Sequence, residues 1–177
     1  DPNHLNLGIR YGYIEQLDDE LLRISKESFD ALSFNCYALS PDHEKMNHAL
    51  EISGLPMIIG EYHFGTVDRG LAQSLWQVNS QKERGDAFRY YTENAFAHRG
   101  LIGTGWFRWI DQNINGRTDG ENYNCGFIDV TDRPYPYMVD AAIETAKSLY
   151  EIHSGTKTPF HQAPNAVGHS PIPDLWE

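Results

Sequence analysis

The sequence predicts an α/β protein made of four consecutive strand-then-helix units with parallel strands. Three observations predict it. Apolar runs of strand length alternate four times with amphipathic stretches of helical period, and such alternation implies a parallel sheet with right-handed crossovers. The run 55–64 (LPMIIGEYHF) is rich in branched residues and bounded by Gly54 and Gly65, as befits a strand buried on both faces. Polar and aromatic residues gather at or just after the C-terminal end of every run. Four units make a small open sheet or half of an eight-stranded barrel, which typically needs about 250 residues.

The elements follow in order. Residues 4–11 alternate as a short strand ending in Arg10 and Tyr11. Residues 15–28 have helical spacing at Leu17, Leu21, Leu22 and Ile24, with Asp18, Asp19 and Glu20 where a helix dipole favours anions. Residues 29–37 form the second strand, with Ser33, Asn35 and Tyr37 in phase. Residues 43–53 form a helix with Met46, Ala49, Leu50 and Ile52 inward, stopped by Gly54. In the third strand, simple alternation puts Met57, Ile59, Glu61 and His63 on one face. A long loop, 65–80, carries Arg69, Gly70 and Trp76; loops of that length in compact domains are more often functional than idle. Residues 81–98 form a helix with Ala87, Phe88, Tyr91, Ala95 and Phe96 inward. The fourth strand, 101–109 (LIGTGWFRW), has internal glycines that suggest a crowded wall or a close backbone approach. A Gly- and Asn-rich loop, 111–136, precedes the last helix, 137–153, with Val139, Ala142, Ile143, Ala146 and Tyr150 expected inward. Residues 1–154 thus form the barrel-like unit. Residues 155–177 form a Pro-rich tail, expected to lack regular structure and to lie on another surface, because Leu175 and Trp176 suit free solvent poorly.

Composition narrows the function. The hydrophobic content of 40% and charged content of 22% are those of a globular chain. A formal net charge of -11 argues against a nucleic-acid or anionic-membrane partner. No apolar run is long enough to span a membrane. Two cysteines without a CxxC spacing support neither thiol nor zinc chemistry. Asp119, Glu121 and Asn122 have the composition of a cation loop without the calcium-hand spacing, so a surface loop is expected and no metal or other cofactor. The chain opens on Asp1-Pro2-Asn3 without Met, which reads as part of a larger coding region or a processed product.

The strand ends offer Arg10; Asn35 and Tyr37; Glu61 and His63; and Trp106, Arg108 and Asp111. In a barrel these ends ring one mouth. Such a mouth suits glycoside cleavage by two carboxylates, one nucleophile and one general acid then base. Glu61 is the natural nucleophile. Tyr37 is placed to donate to it and keep it ionised, Trp106 to supply an apolar platform for a sugar ring, and Arg10 to balance charge. Core packing is the competing role for Tyr37 and Trp106. A satisfied structural histidine is the favoured role for His63.

The segments IIGEYHFGTVDRG, GLIGTGWFRWIDQ and NGRTDGENYNCGFIDVTDRPYP resemble the last two strands and following loops of beta-agarase-type glycoside hydrolases, family fifty in particular. DPNHLNLGIRY and FDALSFNCY resemble the two strands before them. The resemblance runs from residue 1 to about 155. It implies the C-terminal half of a (β/α)8 barrel, a retaining mechanism on beta-galactosidic polysaccharide such as agarose, and a secreted or periplasmic location. It implies Glu61 as nucleophile, Tyr37 as its supporting tyrosine and Trp106 as the tryptophan below the sugar. The family's acid/base is a Glu in an Asn-Glu pair ending strand four; this sequence has no Asn-Glu pair and resembles strand five onward. Two function classes therefore stand: a retaining glycosidase completed by another half, or a non-catalytic, self-associating half-barrel that at most binds carbohydrate. A four-stranded half has two open edges, so a partner is expected: a second copy, or a separate N-terminal half.

Overall fold

The computed structural model describes residues 3–168; Leu175 and Trp176 lie outside the described residues. Four parallel strands form one sheet in the order β1 (Arg10–Tyr11), β2 (Leu32–Asn35), β3 (Met57–Tyr62) and β5 (Leu101–Trp106). The short β4 (Trp76–Gln77) lies in the long loop after β3. The helices α1 (Asp19–Ser28), α2 (His43–Ser53), α3 (Gln81–Phe96) and α4 (Pro136–His153) each lie in the connection after a sheet strand. This is the expected unit repeated four times, an α/β fold consistent with a partial barrel. A 3-10 turn at Ile14–Gln16 precedes α1.

Local chemistry sets the helix ends. The Asp18, Asp42 and Ser80 side chains accept from backbone N–H groups in the first turns of α1, α2 and α3, satisfying donors that a helix start leaves free. Gly54 closes α2 at φ +67°, a conformation open to a residue without a β-carbon.

The core fills the space between sheet and helices. Leu32, Phe34, Met57, Ile59, Tyr62 and Leu101 from the strands meet Leu22, Met46, Ala49, Ala87, Tyr91 and Met138 from the helices. Tyr62 anchors the layer: its ring stacks on Tyr91 at 4.0 Å and its hydroxyl bonds Thr92 at 2.5 Å. Gly105 marks the close approach expected from the fourth strand, since a β-carbon there would lie 2.6 Å from the Gly60 carbonyl oxygen. Gly103 has ordinary room.

Two expectations about facing are corrected. Simple alternation along β3 fails at Gly60. Phe34 pairs Ile59 and Asn35 pairs Glu61, while Ile59 pairs Thr104 and Tyr62 pairs Trp106. Against both neighbours β3 carries one extra residue, a bulge. Met57, Ile59 and Tyr62 therefore all face the helices, and Glu61 faces the other side of the sheet. The second correction concerns α4. Its buried residues are Met138, Ala141, Thr145, Ser148 and Ile152. Ile143, Ala146 and Tyr150, expected inward, are exposed, Tyr150 to 88%. The helix packs on α3 with a small and partly polar face and turns its bulkier apolar stripe away.

Exposed apolar groups recur at both edges of the sheet. Leu5 (75%), Leu7 and Ile9 precede β1, and Ile24 lies on α1. Ile102 (55%) on β5 meets the C-terminal part of α4, where Ile102, Leu149, Tyr150 and Phe96 line a groove of about 290 Å³.

The tail departs from its expected irregularity at one point. It leaves α4 and runs back along α3: Phe160 N–H donates to Glu93 (2.7 Å), Asn94 Nδ2 donates to the Phe160 carbonyl (3.0 Å), and Arg89 lies over the Phe160 ring. It ends the described chain as β6 (Val167–Gly168), antiparallel to β4.

Candidate active site

The bulge at Gly60 aims the Glu61 carboxylate at the strand tips, where three neighbours converge on it. Arg10 Nη2 from β1 reaches Oε1 at 2.8 Å. Asn35 Nδ2 from β2 and the Tyr37 hydroxyl just beyond β2 both donate to Oε2, at 3.2 and 2.7 Å. The Glu61 side chain keeps 20% of its surface exposed. The carboxylate is thus held from both oxygens yet reachable.

Tyr37 is buried, and burial first, then its bond to Glu61, raises its pKa far above the phenol range. It remains a protonated donor across the ordinary pH range. The backbone around it is held by aromatic donors: Tyr91 Oη donates to the Cys36 carbonyl (2.6 Å) and Trp76 Nε1 to the Tyr37 carbonyl (2.8 Å). Trp76 was visible in the sequence only as an aromatic residue in a long loop; its hold on Tyr37 had no sequence signal.

His63 lies beneath this cluster, edge-on to Tyr37 at 4.9 Å. Its Nδ1–H donates to the Phe107 carbonyl (3.0 Å) and its Nε2 accepts from the Leu75 N–H (3.1 Å). Burial, with the Arg84 charge adding to it, lowers its pKa to about 3. It is a neutral imidazole with both nitrogens occupied by main chain.

The fourth strand contributes differently. Trp106 Nε1 donates to the Cys125 carbonyl (2.6 Å), and its ring meets Tyr62, Phe88 and Phe127 edge-on at 5.2 to 5.7 Å. Arg108 is half-buried, beside the Cys125 thiol, whose pKa burial pushes up to about 12. Asp111 is turned inward. It accepts from Asn124 Nδ2 (2.9 Å), the Tyr135 hydroxyl (2.6 Å) and Gly126 N–H (2.7 Å). Arg84 completes this network, donating to the Asn124 and Gly126 carbonyls at 2.9 and 2.7 Å with its guanidinium 4.4 Å from the Tyr135 ring centre. The network pins the loop between β5 and α4. Sequence reasoning named Asp111 and missed Arg84, Asn124 and Tyr135, which bind one another across 11 to 51 positions of chain.

The structure therefore brings Arg10, Asn35, Tyr37 and Glu61 into direct contact, sets His63 directly behind them, and puts Trp106, Arg108 and Asp111 in the adjoining wall. In the outer loop Arg117 pairs Asp119 (2.8 Å) and Glu121 (3.3 Å), and Gln112 donates to Glu121 (2.7 Å). Among the described residues no group of three or more His, Cys, Asp or Glu side chains is arranged to hold a metal. Among them, too, no helix is long and apolar enough to cross a membrane.

No protein-family model matches the chain. Beta-agarase A of Vibrio sp. (strain JT0107) is 37% identical over 156 residues, covering 84% of this chain and 16% of that protein. The solved structure of PfGH50B superposes with a TM-score of 0.80 at 38% identity, over 86% of this chain and 22% of that one. An exo-beta-agarase structure gives 0.79 at 36%, over 87% and 21%. By these relationships the chain is similar to a part of known glycoside hydrolases. More narrowly, it is homologous to one segment of the beta-agarases and spans about a sixth of the length of the curated relatives it matches.

Proposed function

We propose that this chain supplies the nucleophile half of a retaining glycoside hydrolase acting on beta-galactosidic polysaccharide such as agarose. The observation that carries the reading is the Glu61 carboxylate, bonded by three side chains from two neighbouring strand tips and still partly exposed. Glu61 attacks the anomeric carbon as the glycosidic C–O bond breaks, and the leaving sugar oxygen takes its proton from a general acid. Asn35 and Tyr37, already donating to Oε2, hold the attacking group fixed in direction, and Arg10 lies against its other oxygen. Orientation of this kind is a large part of what an enzyme contributes. In the second step water displaces the sugar from Glu61. Both steps need a general acid then base, about 5 Å from Glu61 in a retaining pair. Glu121, in the outer loop, is already occupied by Gln112 and Arg117.

The acid/base comes from a partner half-barrel. Supporting this, the apolar stripe of α4 and the residues before β1 are exposed at the two edges where further strands and helices would pack. The chain spans a sixth of its curated relatives, so relatives carry ample sequence to supply them. The competing reading is a self-associating half-barrel that binds carbohydrate without turnover.

One experiment separates them. The chain alone is expected to give no hydrolysis of agarose or of an aryl beta-galactoside. Co-expressed with the preceding barrel segment of beta-agarase A, it is expected to co-purify and hydrolyse agarose. Glu61→Gln is expected to abolish that turnover without loosening the complex. A well-folded monomer of 20.2 kDa that recruits no partner argues against completion. Turnover that survives Glu61→Gln removes the nucleophile assignment.

A further inference from the structure

Tyr37 lies past the end of β2, where no sheet hydrogen bond holds it. Its hydroxyl nevertheless has to stay within hydrogen-bond reach of Glu61. The preceding residue is tied by Cys36 N–H to the Glu61 carbonyl (2.9 Å) and by the Tyr91 hydroxyl to the Cys36 carbonyl (2.6 Å), and the group that holds Tyr37's own carbonyl is the Trp76 indole, whose N–H donates to it at 2.8 Å. Trp76 is itself held on several sides. Its carbonyl accepts from Gly65 N–H (2.9 Å) and the Ser74 hydroxyl (3.1 Å). Its ring stands edge-on to Phe64. Its strand, β4, pairs with β6, so that Trp76 is opposite Gly168 and Gln77 opposite Val167. A β-carbon at Gly168 would lie 3.1 to 3.3 Å from three indole atoms, so bare backbone packs on the ring.

The route of the tail matters here. From the end of α4 it climbs α3, fastened at Phe160 through Glu93, Asn94 and Arg89, and it meets the site again at β4. Glu93 is almost fully buried and also accepts from Arg89 (2.9 Å) and Thr145 (3.2 Å), so the fastening is rigid. An unbroken set of contacts thus joins the tail to the carboxylate: β6, Trp76, Tyr37, Glu61.

We infer that Trp76 is a positioning residue for the Glu61 carboxylate, acting through Tyr37, and that the C-terminal strand β6 clamps Trp76 for that purpose. The inference rests on the reading of Glu61 and Tyr37 given above. It adds a loop residue and a tail segment to the machinery. The indole N–H sets where the Tyr37 backbone stops, and the backbone stop sets the direction from which the phenol approaches Glu61. Loss of the clamp leaves the sheet intact and lets the phenol swing.

The test reads the Tyr37 hydroxyl proton by NMR in the full chain, with tyrosine selectively labelled. In the unaltered protein, a hydroxyl held on a buried side of a carboxylate exchanges slowly with solvent. Trp76→Phe keeps an aromatic ring and removes the N–H; exchange is expected to speed up about fivefold or more, the worth of one hydrogen bond of roughly 1 kcal/mol. Gly168→Leu keeps the indole donor and wedges β6 away from the ring; the same acceleration is expected. A purely structural role for Trp76 lowers the melting temperature of both variants and leaves the exchange rate unchanged, and that result overturns the inference. A response to Trp76→Phe alone removes the tail from the proposal. If Trp76→Phe does not fold, the Gly168→Leu rate decides. Absence of a slow proton in the unaltered chain is a separate failure: it removes the Tyr37–Glu61 pairing, and the clamp with it.

Discussion

Replacing Arg84 by Met tests the account of the wall beside the site. Arg84 is fully buried, and it touches carbonyls, a ring and the field of a carboxylate at once. Burial lowers its pKa, with Asp111 the strongest influence opposing that fall. Methionine matches the aliphatic stem and removes the donors. The Asn124 and Gly126 carbonyls then lose their partners, at about 1–3 kcal/mol for each group left buried and unsatisfied. The Asp111 carboxylate, 4% exposed, also loses the attraction of the Arg84 charge, which acts on it through the field rather than through a direct ion pair. These costs overlap, because the loop relaxes once for both. A total of about 4 kcal/mol is expected, read as the shift in urea midpoint at constant m. For a chain of this size that corresponds to a melting temperature lower by roughly 10 °C. Asp111→Asn is then expected to cost less in the Arg84→Met background than alone, by about 1–3 kcal/mol of coupling. A single-variant loss below about 1 kcal/mol, or strict additivity of the two, refutes the claim that the pair pins this loop.

Two further outcomes follow from the packing. The His63 pKa is lowered in the fold to about 3 from 6.5, so its contribution is complete above about pH 6.5 and drains away as pH falls toward 3, because the unfolded chain takes up the proton first. Between pH 6.5 and 5 the slope is about 1.4 kcal/mol per unit, or about 2 kcal/mol in all; urea midpoints at pH 7 and pH 5 measure it, and a His63→Gln variant with an equally steep profile would contradict the assignment. Gly105→Ala places a methyl group against the Gly60 carbonyl and is expected to destabilise by about 2 kcal/mol or more through forced separation of β3 and β5. The same change at Gly103, where there is room, is expected to stay within about 1 kcal/mol; equal thermal shifts for the two would dismiss the close-approach argument.

The four strand–helix units were legible in the sequence because each carries its own period, and three of the four helices their own capping side chain, and both signals are local. The ring of polar residues at the strand tips was legible for the same reason. What stayed hidden was non-local. A single inserted residue in β3 changes the phase of alternation, and only the pairing with β2 and β5 reveals which residue is extra. The facing of α4 was misjudged because its most apolar stripe, with Ile143 and Tyr150, does not face the core of this chain; periodicity finds an apolar face without saying what covers it. The first strand was expected over 4–11, yet only Arg10–Tyr11 pairs with β2. The loop network of Asp111, Asn124, Tyr135 and Arg84 joins positions too far apart in sequence for any spacing rule.

The irregularity at Gly60 has a consequence for how far the acid group stands out of the sheet. Each residue added to a strand advances the chain by roughly 3.3 Å, and here one is spent without altering what Met57, Ile59 and Tyr62 present to the helices. Height at the rim and fit in the interior are thereby adjusted separately. Excising Gly60 would preserve which side every neighbour faces and draw the carboxylate down, out of step with the phenol and guanidinium that now meet it.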